Sequence, residues 1–331
     1  MIVEVALTLI GLLLILKGSE WVTDASVPVA RFLNTTNVAV GLVLVSVLLS
    51  LPELIVAVSA TVKGHSDFSV GAIVGSVIVN LGLIIGISAL IHPLKIPRHV
   101  ITRDAVFMLI ATMVVALIVL EDLRVTQKDG IVFLLLFIPY LVNLYEQEKT
   151  LATKERRKES DMIAKTLQFV GKVGGAEIAI HDSRIIFVAG IAMLVFGADM
   201  FTNSMLSIAF TLKVPDLLVG ITLGALGPSI ANLAAAIQAV RRGYDELAVS
   251  ETIGSNIFTL LITLGVVAIA SPFAIDPATA AVTAPALLIV TLVFFAFTLR
   301  GTISRTAGAI LVALYLLTVI AEVVVRLGLG F

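Results

Sequence analysis

Ser50-Leu51-Pro52-Glu53 stands in the middle of an apolar run from Val38 to Val62, VAVGLVLVSVLLSLPELIVAVSATV. A run of that length can cross a bilayer, which takes about 20 apolar residues as a helix. A carboxylate at such depth is costly and marks a candidate functional site. Pro52 has no backbone N–H, so the carbonyl of Leu48 loses its helical partner. Irregular backbone at membrane depth survives only where protein buries it or where it lines a cavity. At helical spacing Ser46, Ser50 and Glu53 share one face. The stretch therefore offers hydroxyls, a carboxylate and a freed carbonyl together, the oxygen donors that hard cations take.

The stretch occurs twice. Shifted by 179 residues, 18–93 lies over 197–272 without a gap. Gly41 meets Gly220, Ser50 meets Ser229, Gly75-Ser76 meets Gly254-Ser255, and Pro93 meets Pro272. Shared apolar composition does not place glycine, serine and proline in step over three segments. Internal duplication with interrupted helices in both halves is characteristic of secondary transporters.

Composition bounds the class. The 331 residues are 59% hydrophobic and 14% charged, with a mean hydropathy of +1.11. Soluble domains carry roughly a quarter charged residues. The chain reads as an all-α polytopic membrane protein whose partners are the lipid bilayer and inorganic cations. Its net charge of −1 gives no sign of nucleic-acid binding. Without cysteine it has no disulfide, thiolate metal site or cysteine nucleophile. No cofactor is implied, and neither is an oligomeric state. The apolar start runs on into the first repeat, so it reads as a first span and not as a cleaved signal.

Ten candidate spans fall near 2–32, 38–62, 69–91, 102–120, 129–146, 184–210, 217–240, 246–270, 279–299 and 305–327. The first and sixth are overlong and carry polar residues, which suits tilted helices. The expected domains are a five-helix repeat at 1–145, a charged cytoplasmic loop at 146–183 and a second five-helix repeat at 184–331. Placing the loop inside also places Arg31, Lys95, Arg98, Arg103, Arg241, Arg242, Arg300 and Arg305 inside. Lys63, Arg124, Lys128, Lys213 and Arg326 then fall outside. That bias puts both termini on the extracytoplasmic side of the plasma membrane. Five spans per half make the repeats inverted, which suits alternating access around a midplane site.

Four interrupted segments supply the expected cation ligands. They are Ser50 and Glu53 on the second span, Ser76 and Asn80 on the third, Ser229 and Asn232 on the seventh, and Ser255 and Thr259 on the eighth. Any one pair can simply hydrogen-bond between packed helices. Four matched pairs around a buried glutamate favour a site. Gly71, Gly75, Gly82, Gly86, Gly254 and Gly265 read mainly as close-contact positions. Gly75 and Gly254, directly before the matched serines, are expected to let the chain unwind. Glu20 and Asp199 are repeat mates, as are Asp24 and Asn203. They either line an ion path or sit solvated at the interface. Glu4 and Glu322 read as interfacial, and Trp21 as a packing residue.

These motifs resemble those of the calcium/cation antiporter superfamily, and within it the prokaryotic sodium/calcium exchangers. The first repeat reads Ser50-Leu51-Pro52-Glu53 and then Gly75-Ser76-Val77-Ile78-Val79-Asn80. The second reads Gly227-Pro228-Ser229-Ile230-Ala231-Asn232 and then Gly254-Ser255-Asn256-Ile257-Phe258-Thr259. The resemblance covers both repeats and implies Ca2+ exchange for Na+ or H+ by alternating access. It also implies that the long first and sixth helices slide over a static core.

The departures from that pattern bear on charge. Asn232 stands where the family usually has a second glutamate, and Thr259 where it often has an aspartate. Pro228 is displaced relative to Pro52. Glu251 is new, one turn before Ser255; it either faces the entry path or caps the eighth helix. A dication beside one carboxylate keeps a net buried charge, which costs several kcal/mol. Glu53 alone neutralises a monovalent ion, and a carboxylate removed from water favours its protonated form. A monovalent cation/proton exchanger is therefore the alternative within the transporter class. A non-transporting sensor of the same fold is another, opposed by the retention of Pro52, Glu53, Ser76 and Asn80. No His-Glu-x-x-His, Gly-x-Ser-x-Gly, P-loop or mid-span aspartate pair supports an intramembrane enzyme.

Overall fold

The computed structural model describes residues 1–32, 38–150, 183–241 and 243–328. Helices follow the apolar runs: α1 (Ile2–Phe32), α2 (Val38–Val62), α3 (Ser66–Ile91), α4 (Arg98–Asp122) and α5 (Gln127–Thr150). After the charged connection come α6 (Ser183–Leu212), α7 (Asp216 to Arg241), α8 (Asp245–Ala270), α9 (Thr279–Thr298) and α10 (Arg305–Arg326). Among the described residues seven helices are long and apolar enough to cross a membrane, or eight if α7, bent by 51°, is one span. Ten spans were expected. The difference lies partly in α2, where only Ser50–Val62 enters that comparison. Most of the expected 146–183 loop, together with the side chains of Asp24, Ser46 and Leu48, lies outside the described residues.

The helices end where the chain chemistry requires it. Pro93 and Pro272, which cannot continue a helix, lead into the two-residue strands β1 (Leu94–Lys95) and β3 (Phe273–Ala274). With β2 (Arg124–Val125) and β4 (Thr302–Ile303) these amend the all-α expectation. β1 pairs antiparallel with β4, Leu94 opposite Ile303, and β2 with β3, Val125 opposite Phe273. An offset of 179 residues carries β1 onto β3, and one of 178 carries β2 onto β4, so the two small sheets correspond. The 179-residue offset also relates the turns into α3 and α8, where Gly64 and Gly243 take φ of +86° and +77°, a conformation that costs glycine least.

α3 and α8 are central: 89% and 78% of their most apolar stretches are buried, against 28% for α1 and α10. They anchor the main core, with Ile78, Leu81, Ile84, Ile253, Ile257, Leu261 and Phe294 all inaccessible or nearly so. A second core lies between α1 and α6, built on Ile15, Val22, Leu194, Ala198 and Phe201, with Val56 of α2 and Phe68 of α3 beneath. α1 and α6 run against each other along their length. At about 45 Å each, they exceed a hydrocarbon core of about 30 Å. Gly18 allows their close approach, since a Cβ there would stand 2.8 Å from the Gly190 carbonyl oxygen. Their repeat mates, Gly197 and Gly11, meet in the same way.

Glu322 departs from its expected interfacial place. It is fully buried, accepts from Thr283, and pairs with Arg326 at 2.8 Å. One turn of helix separates the two charges, so Arg326 folds back along α10 to neutralise the carboxylate inside the protein.

Candidate functional site

α2, α3, α7 and α8 each turn a short polar face inward, and the faces meet. Ser50 Oγ lies 2.7 Å from Ser255 Oγ, and Ser76 Oγ lies 2.9 Å from Ser229 Oγ. Ser229 Oγ and Asn232 Nδ2 both donate to Glu53 Oε1, at 3.3 and 3.2 Å. Asn232 also donates to Ser255 Oγ at 3.4 Å. Six expected ligands thus form one connected network. Asn80 is buried beside it but donates to Asn256 Oδ1 at 2.8 Å. Thr259 is fully buried, with no hydrogen-bond partner for its hydroxyl.

Asn256, the partner of Asn80, was passed over by sequence reasoning. Its signal was present in the quoted Gly254-Ser255-Asn256 motif. Its repeat mate is Val77, so symmetry between the halves did not point to it.

The backbone is irregular at the same level. α3 widens into a π-helical turn over Val79–Ile84, and α8 does so over Thr259–Thr263. Such turns loosen the regular ladder of hydrogen bonds and gather at functional sites. Asn80 is the second residue of the first turn, and Thr259 opens the second. The expected unwinding at Gly75 and Gly254 is not seen, because the helices run through both residues. Gly75 instead allows contact with α7: a Cβ there would come 2.7 Å from Ile221 Cα. In α7 a π-helical turn over Gly220–Gly224 precedes Pro228, and the bend follows it.

The inward oxygens are incompletely satisfied. Glu53 Oε2, Asn80 Oδ1, Asn232 Oδ1, Thr259 Oγ1 and Glu251 Oε1 are all buried without a hydrogen-bond partner. Buried polar atoms are normally paired. Several acceptors left open on four converging helices, all of them oxygen, form a donor set suited to a hard cation. Glu251 does not cap α8, which begins at Asp245 with Tyr244 as its flanking residue. It is 3% exposed and lies in the helix interior.

The other intramembrane acids separate. Glu20 is largely buried and bonded to Lys17 Nζ at 2.8 Å. Asp199 is about half exposed and holds Lys63 at 2.5 Å and Asn203 at 3.1 Å. Neither joins the network around Glu53.

Comparison with known proteins places this arrangement. The family described as "Sodium/calcium exchanger protein" matches residues 3–146 and 183–324. The inner membrane protein YrbG of Escherichia coli K12 is 31% identical over 89% of this chain and 88% of its own. The sodium/calcium exchanger MaX1 of Methanosarcina acetivorans is 27% identical over 95% of this chain and 96% of its own. A solved structure of the sodium-calcium exchanger NCX_Mj, in 10 mM Na+ and zero Ca2+, superposes with a TM-score of 0.66. It is 26% identical and covers 96% of this chain and 98% of that one.

Proposed function

Since the chain belongs to the sodium/calcium exchanger family, a family of transporters and not of enzymes, we propose that it exchanges Ca2+ for Na+ or H+ by alternating access. The exchange takes place at a buried site centred on Glu53. The observation that carries this reading is the network joining Ser50, Glu53, Ser76, Ser229, Asn232 and Ser255, with carboxylate and amide oxygens left open. Those groups replace water around a dehydrated cation.

In this reading ten helices form two inverted repeats, 1–145 and 184–331, separated by a charged cytoplasmic loop at 146–183. Both termini then face out of the plasma membrane. The two corresponding sheets support the repeats, as do the glycine contacts, which the 179-residue offset relates. α1 and α6 form the moving pair. Their shared core is a cluster separate from the main one, reaching α2 and α3 through Val56 and Phe68, and this supports motion of one body against another.

Monovalent cation/proton exchange is the second reading. It is favoured by Asn232 and Thr259, which offer oxygen without charge.

The deciding experiment uses purified protein in proteoliposomes. Calcium uptake is driven by an outward sodium gradient, then by an outward proton gradient. Uptake under either gradient is expected, together with its loss in Glu53→Gln. Wild-type uptake in that variant would overturn the site. No calcium movement under either gradient would replace calcium exchange by the monovalent reading.

A further inference from the structure

Glu251 lies on α8 one turn before Ser255 and two before Thr259, so the three share a face at helical spacing. Ser255 meets Ser50 and Asn232, which directs that face into the network around Glu53. Glu251 is 3% exposed and within electrostatic reach of Glu53. Its Oε1 has no partner, and neither does Glu53 Oε2.

No cationic side chain pairs with Glu251 among the described residues. The buried guanidinium of Arg103 on α4 donates two hydrogen bonds, of 2.6 and 2.7 Å, to Asp104. Asp104 also accepts from Ser250, the residue before Glu251. That neighbouring charge is therefore balanced locally and does not offset Glu251.

Two ionised carboxylates buried without a protein cation are strongly disfavoured until protons or a metal cation neutralise them. One divalent cation balances two carboxylates, whereas one monovalent cation leaves a charge over. Every open acceptor at the site is oxygen, which selects a hard ion. We propose that Glu251 is the second anionic ligand of the transported cation. It takes over from α8 the charge that Asn232 does not supply from α7, and so makes this a site for a divalent cation. The proposal rests on the exchanger reading above and deepens it. The repeat mate of Glu251 is Ala72, so the second charge enters from one half alone and the site is asymmetric.

The test measures equilibrium binding of radioactive Ca2+ to the purified full chain in detergent, independently of transport. Wild type is expected to bind. Glu251→Gln is expected to weaken binding roughly tenfold or more. The double variant E251Q/N232E, which moves the carboxylate to α7, is expected to recover most of that loss. A merely structural role for Glu251 would not give that recovery. Glu251→Asp keeps the charge on a shorter side chain and is expected to bind more weakly than wild type. If E251Q does not fold, Glu251→Ala is measured in its place, and wild-type affinity there overturns the proposal. Unchanged affinity in E251Q, with binding lost in E53Q, would overturn the role of Glu251 and leave the Glu53 site intact. Unchanged affinity in both variants would overturn both readings. A wild type that binds no Ca2+ would overturn the divalent site. Calcium binding that depends on Glu251 without any exchange in vesicles would uphold this proposal and overturn the transport reading.

Discussion

The hydroxyls of Ser50 and Ser255 meet at 2.7 Å between α2 and α8, and the contact recurs at 2.9 Å between Ser76 on α3 and Ser229 on α7. Ser50 and Ser229 are repeat mates, as are Ser76 and Ser255. Each half therefore completes its serine pair with the other half, and the polar network cannot form within one repeat.

Removing either hydroxyl leaves its partner buried and short of a hydrogen bond. Ser50→Ala and Ser255→Ala are each expected to cost about 0.5–1 kcal/mol, and the double variant little more than one of them. Unfolding in mild detergent measures the coupling. Fully additive losses would show that the pair contributes nothing as a pair.

The second expectation concerns motion. Gly197 of α6 lies so close to α1 that a Cβ would stand 2.9 Å from the Gly11 carbonyl oxygen. Gly197→Val should slow vesicle uptake several-fold while changing Ca2+ binding much less. The residue lies in the α1–α6 contact and is absent from the network around Glu53. Equal losses in binding and uptake would tie α1 and α6 to the site itself.

Glu322 and Arg326 form a buried ion pair in which Glu322 also accepts from Thr283. Breaking one side leaves the other charge uncompensated. Glu322→Gln is expected to cost about 3 kcal/mol or more. E322Q/R326M should recover part of it, read from the thermal unfolding midpoint. Arg326 also meets Asp276 at 3.4 Å, and a midpoint unchanged in E322Q would mean that this contact alone holds Arg326.

Asp276 lies in the connection between β3 and α9. Burial pushes its carboxyl up, but hydrogen bonds from Thr279 and the Arg326 guanidinium outweigh that and hold it below its ordinary value of 3.8. Asp67, which also faces this corner, repels it. A lowered native value means that the ionised form stabilises the fold above pH 3.8, and that this contribution disappears as pH falls through the native value. Asp276→Asn should therefore lower the unfolding midpoint at neutral pH and match wild type in strong acid. A difference independent of pH would assign the effect to packing.

The class and the positions of the helices were legible in the amino-acid pattern. Apolar runs long enough for a bilayer have few other stable homes, and proline and glycine punctuate them at matched places. Burial of Ser50, Glu53, Ser76, Asn80, Ser229, Asn232, Ser255 and Thr259 was legible too, because polar residues spaced by one turn share a helix face wherever the helix goes. The pairing of these residues was not legible there and follows from how the helices cross. Ser50 bonds to Ser255 and not to its own mate, because pairing depends on which helices cross and at what depth. The tertiary structure also placed Glu251 inside α8 beside the network and Glu322 inside the protein with Arg326. A carboxylate near the end of an apolar run reads the same in sequence whether it meets water, a cap or a buried partner. The neighbours that distinguish those cases come from other helices, far away in the chain.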